Sequence, residues 1–93
     1  MEFSWDSLKS EANLAARGFD FAFATLVFEG PTLEREDARE DYGEARVIAI
    51  GLAQGVLLTV VYTDRAPGVR RIISARRSNR REREAYEEAC EGL

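Results

Sequence analysis

The sequence predicts a single small α+β domain with two N-terminal helices, an antiparallel sheet of about four strands and one C-terminal helix. Segments with helix caps lie at both ends of the chain, and apolar β-branched segments lie between them. The connections between the apolar segments are short, which favours antiparallel pairing. The chain of 93 residues has no linker or internal repeat, so residues 1–93 are expected to form one domain.

The two N-terminal helices are predicted from their caps. Asp6 can cap a helix over Ser7–Arg17, and Gly18 is suited to end that helix in a left-handed turn. Asp20 can cap a second helix that continues through Phe28. This second helix is apolar on nearly all sides, so we expect it to be the most buried helix of the domain.

Four strands are predicted between the helices. Leu33–Glu36 is a short edge strand, and a polar loop follows it. Two apolar runs, Arg46–Ala53 and Val56–Thr63, are divided by Gln54–Gly55, which is a strong hairpin signal. A connection rich in turn residues then leads into the last strand, Val69–Ala75.

The C-terminal helix has a clear predicted start. Asn79 can cap it, and Glu82, three residues later, can reach back to complete a capping box. The apolar residues that follow recur at helical spacing: Ala85, Tyr86, Ala89, Cys90 and Leu93. The predicted order of elements is therefore α-α-β-β-β-β-α.

The composition excludes several classes of function. With no histidine and one cysteine, the chain lacks the usual zinc and iron ligand sets, so we expect neither a metal nor a cofactor. No apolar run is long enough to span a membrane and no secretory signal is visible, which makes a cytoplasmic location the default. Any acid–base chemistry must come from Asp, Glu, Lys, Tyr or Arg.

The charges are strongly segregated. The net charge is −4, but the segment Val69–Arg83 contains seven arginines and one acid, so it carries +6 and the remainder carries −10. Such a basic segment on an acidic body suits phosphate binding, and the acidic body also suits a basic protein partner. The ordinary alternative is a solvated surface whose arginines form salt bridges.

Two observations favour a ligand for these arginines. Three arginines in the first turn of the last helix, Arg80, Arg81 and Arg83, oppose the helix dipole at a cost of roughly 0.3–1 kcal/mol each. In the preceding strand, alternation places Arg70 with Ser74 and Arg76 on one face and Arg71 with Ile73 and Ala75 on the other. One of Arg70 and Arg71 must then lie on the more covered face, where it needs an acid or a bound phosphate.

The sequence resembles the BrnT family of toxins from bacterial type II toxin–antitoxin pairs. The stretches that carry the resemblance span nearly the whole chain in the expected order: Phe3-Ser4-Trp5-Asp6 with Lys9, Asn13-Leu14 and Gly18; Tyr42-Gly43-Glu44 with Arg46 and Ile48-Ala49-Ile50-Gly51-Leu52; Val60-Val61-Tyr62-Thr63; and Arg71-Ile72-Ile73-Ser74-Ala75-Arg76-Arg77 with Arg80-Arg81-Glu82.

The resemblance implies a RelE-like fold and an endoribonuclease that blocks translation by cutting RNA. It also implies a BrnA-like, DNA-binding antitoxin of ribbon-helix-helix type encoded beside the toxin, through which the toxin contacts DNA only indirectly. The family commonly has a histidine just before the glycine that ends the first helix, and Arg17 stands there in this chain. The alternative is therefore a catalytically weakened relative that binds the antitoxin or RNA.

Metal-free RNA cleavage requires a base, stabilisation of charge on the phosphorus and help for the leaving oxygen. We predict Arg71 and Arg76 as the phosphate clamp, and Glu44 or Lys9 as the base. The alternatives are ion pairs of the arginines with the acidic body, a Glu44–Arg46 salt bridge and an exposed Lys9.

The remaining predicted RNA contacts extend the clamp. Arg80 would add to it at the helix start, Tyr62 could act as an acid, and Trp5 could stack a base or belong to the core. The predicted RNA-binding residues are Arg80, Arg77, Arg46, Tyr62, Trp5 and Arg17.

Overall fold

A computed structural model describes residues 1–90 as three short helical segments against one sheet. The elements are β1 (Glu2–Trp5), α1 (Ser7–Arg17), α2 (Phe21–Ala24) with a 3-10 extension (Thr25–Glu29), β2 (Thr32–Glu36), β3 (Val47–Ala53), β4 (Val56–Ala66), β5 (Val69–Arg77) and α3 (Arg80–Cys90). None of the helices within these residues is long and apolar enough to cross a bilayer.

The sheet has five strands in the order β1-β5-β4-β3-β2 and is mixed, because β1 pairs in parallel with β5. The predictions of about four strands, of a purely antiparallel sheet and of a helix as the first element were wrong. The chain begins with a strand of only four residues. Its partner lies at the other end of the sequence, in register from Glu2–Val69 to Trp5–Ile72, so no local turn signals the pairing.

The caps of the first two helices are those predicted. The Asp6 carboxylate accepts hydrogen bonds from the backbone of Leu8 and Lys9, and Gly18 ends α1 with a φ of 85°. Asp20 caps the next helix, but the α-helical part is a single turn and the rest is 3-10. This segment is the most buried helix, as predicted, because Phe21, Ala24 and Val27 are in the core.

Two tight turns shape the antiparallel strands. Gln54 and Gly55 have φ values of 47° and 81°, the type I′ geometry that fits the twist of a hairpin. Gly68, with a φ of 79°, follows Pro67 in the next turn. β4 continues beyond its predicted end to Ala66, because the second turn is only two residues long. β5 continues to Arg77, because Arg76 and Arg77 still pair with β4.

The two faces of the sheet are covered unequally. On the face that we call the α2 face, α2 and its 3-10 extension cover the main core, which includes Phe21, Leu58, Val60 and Ile72. On the opposite face, the α3 face, a smaller cluster joins Tyr86 to Ile50 and Leu57. α3 covers only part of its face, which leaves room for a site.

The capping box at the start of α3 is present as predicted. The backbone of Glu82 donates to Asn79 Oδ1 at 2.9 Å, and the backbone of Asn79 donates to Glu82 Oε1 at 2.8 Å. Tyr86 is the one buried residue of the predicted apolar stripe that the structure describes; Cys90 is half-buried, and Leu93 lies outside the described residues. Ala85 and Ala89 are exposed, because they extend past the edge of the small cluster.

Candidate functional site

A β-bulge in β5 decides which arginines share a face. Val61 pairs with Ser74 and Tyr62 pairs with Ile72, so Ile73 has no partner in the ladder. The extra residue reverses the alternation between Arg71 and Arg76. The two side chains therefore point to the same face, the α3 face, and the prediction that Arg76 shares a face with Arg70 was wrong.

Arg70 lies on the covered α2 face and has the acidic partner that burial requires. Its guanidinium donates to both carboxylate oxygens of Asp64, at 2.9 and 3.1 Å, and the side chain is 16% exposed. The guanidinium carbon lies 3.9 Å from the ring centre of Tyr62 and 4.8 Å from that of Phe28. The hydrogen bond with Asp64 is the main reason that the pKa of Arg70 is raised. An acid of the protein, not a phosphate, satisfies this arginine.

Arg76 reaches the first turn of α3. Its two terminal nitrogens donate to the two carboxylate oxygens of Glu82, at 2.7 and 2.8 Å. This pair raises the pKa of Arg76 and lowers that of Glu82. Arg76 is still 44% exposed along its side chain, whereas Glu82 is 13% exposed. Arg76 thus forms an ion pair with the one acid of the basic segment, not with the acidic body as the predicted alternative had it, and this pair holds Arg76 at the helix start with one side open to solvent.

A second group of charges lies at the other end of the α3 face, near Arg71. Arg71 pairs with Thr63 of β4. Arg46 directly precedes β3, which lies on the other side of β4. Glu44 forms ion pairs with Arg46 at 3.1 Å and with Arg65 at 3.4 Å, so the predicted Glu44–Arg46 salt bridge is present. Arg46 also stacks over Tyr42 at 4.0 Å.

Asp37 lies at the end of β2 beside the same group. Its carboxylate accepts two hydrogen bonds of 2.7 Å from Arg39, and its backbone donates to the carbonyl of Arg46 at 2.8 Å. The hydrogen bond from Arg39 lowers the pKa of Asp37 to about 2. Asp37 is therefore ionised at neutral pH and is a poor base. The like charge of Arg39 opposes the rise in the pKa of Arg76.

An open groove runs between β2 and α3 on this face, with a volume of about 410 Å³. Apolar side chains, two arginines and two acids line the groove: Leu33, Ile48, Ile50, Ala85, Arg35, Arg81, Glu34 and Glu82. We call it the β2–α3 groove. Among residues 1–90, no ion pair involves Arg35, Arg71 or Arg81.

Arg35 and Arg39 were missed as site residues by the sequence analysis. Alternation in β2 places Arg35 on the same face as Leu33, and this pattern is a signal that could have found it. Arg39 is in a polar loop, where nothing in the sequence shows which face it approaches. Arg81 belongs to the basic segment and to the arginines that oppose the helix dipole, but it is not among the predicted site residues.

Lys9 and Arg17 lie together at an edge of the sheet. Because β1 ends at Trp5, which pairs with Ile72, the part of β5 that follows Ile72 has a free edge. α1 runs beside this edge. Arg17 donates to the backbone carbonyl of Ala75 at 3.0 Å, which satisfies an acceptor that the ladder leaves unpaired. Lys9 and Arg17 line a shallow groove with Ile73 and the exposed Ser74, next to the row that runs from Arg71 to Arg76.

Of the other predicted site residues, three lie on the α2 face and one lies at the exposed start of α3. Trp5 is half-buried against the core of the α2 face. Tyr62 is 4% exposed on that face and donates to Glu34, and burial is the main cause of the rise in its pKa. Arg77 lies beside a groove of the α2 face. Arg80 is 93% exposed and pairs with Glu84 at 3.2 Å.

The acids of the site are dispersed rather than clustered. Within residues 1–90, no three Asp, Glu or Cys side chains lie close enough together to hold a metal ion. The acids of the α3 face that lie near arginines are instead held by them, as the pairs of Glu44, Asp37 and Glu82 show. Cationic groups therefore dominate the open part of this face.

Comparison with known proteins identifies relatives of this chain. The family model described as the ribonuclease toxin BrnT of a type II toxin–antitoxin system matches residues 5–82. The fold is similar to a 1.1 Å crystal structure of the Brucella abortus ribonuclease toxin BrnT, with a TM-score of 0.62 and 23% sequence identity. That alignment covers 86% of this chain and 99% of the Brucella chain. No curated protein sequence matches.

Proposed function

Because the chain belongs to the BrnT family of ribonuclease toxins of type II toxin–antitoxin systems, we propose that it is an endoribonuclease that inhibits translation. It cuts RNA by metal-free acid–base chemistry. The single observation that carries the proposal is the bulge at Ile73, which aligns Arg71 and Arg76 on the half-covered α3 face. A planar guanidinium suits bidentate binding of phosphate, and such contacts stabilise the charge that develops on phosphorus.

The arginines form an extended track rather than a clamp on one phosphate. Four residues lie between Arg71 and Arg76, and because one of them is the bulge residue, their partners on β4, Thr63 and Thr59, are four positions apart. The α carbons of the two arginines are therefore roughly 13 Å apart at about 3.3 Å per residue of strand. The two side chains therefore hold different parts of one RNA strand. Arg76 meets the first turn of α3, where Arg81 and the very exposed Arg80 add further positive charge.

Arg46 and Arg17 extend the track in two directions. Arg46 lies across β4 from Arg71, and Arg17 lies at the free edge of β5 beside Ser74. Both guanidiniums contact the protein, through Glu44 and the Ala75 carbonyl, so their positions are fixed before RNA binds. Trp5, Tyr62 and Arg77 are left out of the proposed site, because their side chains lie on the α2 face.

The proton chemistry rests on Glu44 and Lys9. A base takes the proton of a 2′-hydroxyl, the 2′-oxygen bonds to phosphorus, and the bond from phosphorus to the 5′-oxygen breaks as that oxygen gains a proton. Glu44 is about one quarter exposed and lies at the Arg71 end of the track. Lys9 is exposed at the β5 edge. Either group can serve as the base, and an ammonium form of Lys9 can supply the proton to the 5′-oxygen.

The proposed partners follow from the family. A type II pair implies an antitoxin, and we propose that it is a BrnA-like protein of ribbon-helix-helix type that binds DNA, so that this chain reaches DNA only through it. The acidic remainder of the chain, −10 outside Val69–Arg83, suits a basic partner. The proposed site of action is the cytoplasm, where RNA and ribosomes are present, and no membrane is involved.

The test is cleavage of end-labelled RNA by the purified chain in the presence of a metal chelator. We expect cleavage by the wild type and its loss in Arg71→Ala and Arg76→Ala. Arg77→Ala is the matched control, because Arg77 is on the same strand but faces the other way. Equal cleavage by Arg76→Ala and the wild type would contradict the assignment of the track, and absence of cleavage by the wild type would contradict the activity.

A catalytically weakened relative is the second candidate, and two observations favour it. Glu44 is held in two ion pairs, and Arg17 stands where relatives commonly have a histidine. Such a chain would bind the antitoxin or RNA without cutting. Induced expression separates the two candidates: growth arrest that the neighbouring small reading frame relieves supports the toxin, and normal growth supports the weakened relative.

A further inference from the structure

We propose that the β2–α3 groove holds a nucleobase of the RNA strand whose phosphates lie along the arginine track. This inference rests on the proposed function, and it names the part of the substrate that one surface of the site receives. The groove volume of about 410 Å³ lies within the range of roughly 300–1,000 Å³ that is usual for small-ligand sites.

The floor of the groove suits the flat face of a base. Leu33, Ile48 and Ile50 form it from two adjacent strands, and both isoleucines are at most 7% exposed. The floor is thus fixed by the sheet rather than by mobile loops. Ala85, on α3, is the smallest residue of the wall, and its short side chain keeps the groove open.

The walls of the groove are cationic on both sides. Arg35 stands on β2 and Arg81 on α3; both are exposed, and no ion pair among residues 1–90 uses either one. Guanidinium planes stack on unpaired bases, and their charge attracts the flanking phosphates. An apolar peptide would gain nothing from two free cations, whereas a nucleotide uses both the floor and the walls.

The groove is continuous with the arginine track. Glu82 lines it and at the same time holds Arg76 through both carboxylate oxygens. A phosphate at the open side of Arg76 therefore places the attached nucleoside over Ile48 and Ile50. Ala85 lies one helical turn after Arg81 on the same side of α3, so a large side chain at Ala85 would enter the space of the base.

The experiment measures the affinity of the chain for a short, mixed-sequence oligonucleotide whose 2′-hydroxyls are methylated, so that it cannot be cut. Its partner ligand is the same sugar–phosphate backbone without bases. Ala85→Phe fills the groove without changing charge. Ala89→Phe is its matched control, because Ala89 is also exposed and lies one turn further along α3, but it does not line the groove. Arg35→Ala and Arg81→Ala remove the walls, with Arg83→Ala as their control.

We expect Ala85→Phe to bind the base-bearing oligonucleotide roughly tenfold more weakly than the wild type, the loss of one base contact, and to bind the bare backbone unchanged. Ala89→Phe should match the wild type with both ligands. Arg35→Ala and Arg81→Ala should weaken the binding of both ligands, because these variants also lose attraction for phosphate. Circular dichroism and the melting temperature establish that each variant is folded.

Several results would overturn the inference. Equal binding of the base-bearing oligonucleotide by Ala85→Phe and Ala89→Phe would show that no base enters the groove. An equal loss with the bare backbone would show that the groove holds phosphate only. The proposed activity is tested separately. If the wild type binds as expected but never cuts RNA, the role of the groove is supported and the endoribonuclease activity is contradicted. If the wild type cuts RNA and Ala85→Phe binds the base-bearing oligonucleotide normally, only the proposed role of the groove is contradicted.

Discussion

Glu82 takes part in two interactions at the start of α3, the capping box and the ion pair with Arg76, and two substitutions separate their contributions. Its Oε1 accepts from the backbone of Asn79 at 2.8 Å, and both of its oxygens accept from Arg76 at 2.7 and 2.8 Å. Glu82→Gln keeps a side chain that completes a capping box but removes the charge that pairs with Arg76. Glu82→Ala removes both the cap and the pair.

The magnitudes differ enough to be measured. Arg76 is 44% exposed, so solvent screens the pair, and we expect Glu82→Gln to cost about 0.5–1 kcal/mol of unfolding free energy. Loss of a cap adds about 1 kcal/mol, so Glu82→Ala should cost roughly 1.5–2 kcal/mol. For a domain of this size, each 1 kcal/mol lowers the melting temperature by roughly 4–8 °C.

The stabilisation by the Glu82–Arg76 pair should depend on pH, and the shifted pKa of Glu82 gives the direction of this dependence. The pKa of Glu82 is lowered from its ordinary value of 4.5 by the hydrogen bond from Arg76, so the folded state favours the charged form. The stabilisation is present above the unfolded pKa and is lost as the pH falls through the lower, folded pKa. Thermal melts should show wild type above Glu82→Gln at pH 7, with the gap closing in acid. A gap that is absent at pH 7, or unchanged at low pH, would refute the ion-pair account.

Three further substitutions test other parts of the molecule. Arg76→Ala should abolish growth arrest on expression while the protein stays folded, and undiminished toxicity would remove Arg76 from the site. Arg17→His should raise cleavage of naked RNA if the chain is a weakened relative, and unchanged rates would show that chemistry does not depend on that position. Asp37→Asn should lower the unfolding free energy by about 1 kcal/mol at neutral pH. This difference should disappear as the pH falls towards 2, the folded pKa of Asp37, as denaturant titrations across pH would show.

Local signals in the sequence predicted what depends on local chemistry. Asp6, Asp20 and Asn79 cap the helices as expected, and Gln54–Gly55 makes the predicted hairpin. Each of these features depends on side chains within a few residues of one another. The class of fold followed from their order along the chain, whereas the pairing of β1 with β5 joins residues too far apart for such signals.

The bulge at Ile73 shows why the site could not be fully predicted. Simple alternation separates Arg71 from Arg76, and no glycine or proline marks the extra residue in Val69–Arg77. The arginine-rich segment was visible as a charge anomaly, but its face was set by pairing with β4. Arg35 differs, because alternation in β2 indicates its face, whereas its place beside an open groove depends on how much of the sheet α3 covers.

Two arginines of β5 have bidentate acidic partners, but only one of them is free to turn to a substrate. Arg70 is 16% exposed and lies against Tyr62 and Phe28, so moving it would leave Asp64 without its partner and open the packing of both rings. Arg76 is 44% exposed and makes no cation–π contact within the described part of the chain. Glu82 would keep its bond to Asn79 if Arg76 turned away, because the capping box does not depend on the arginine. Arg70 therefore has a structural role, whereas Arg76 is available to bind a phosphate.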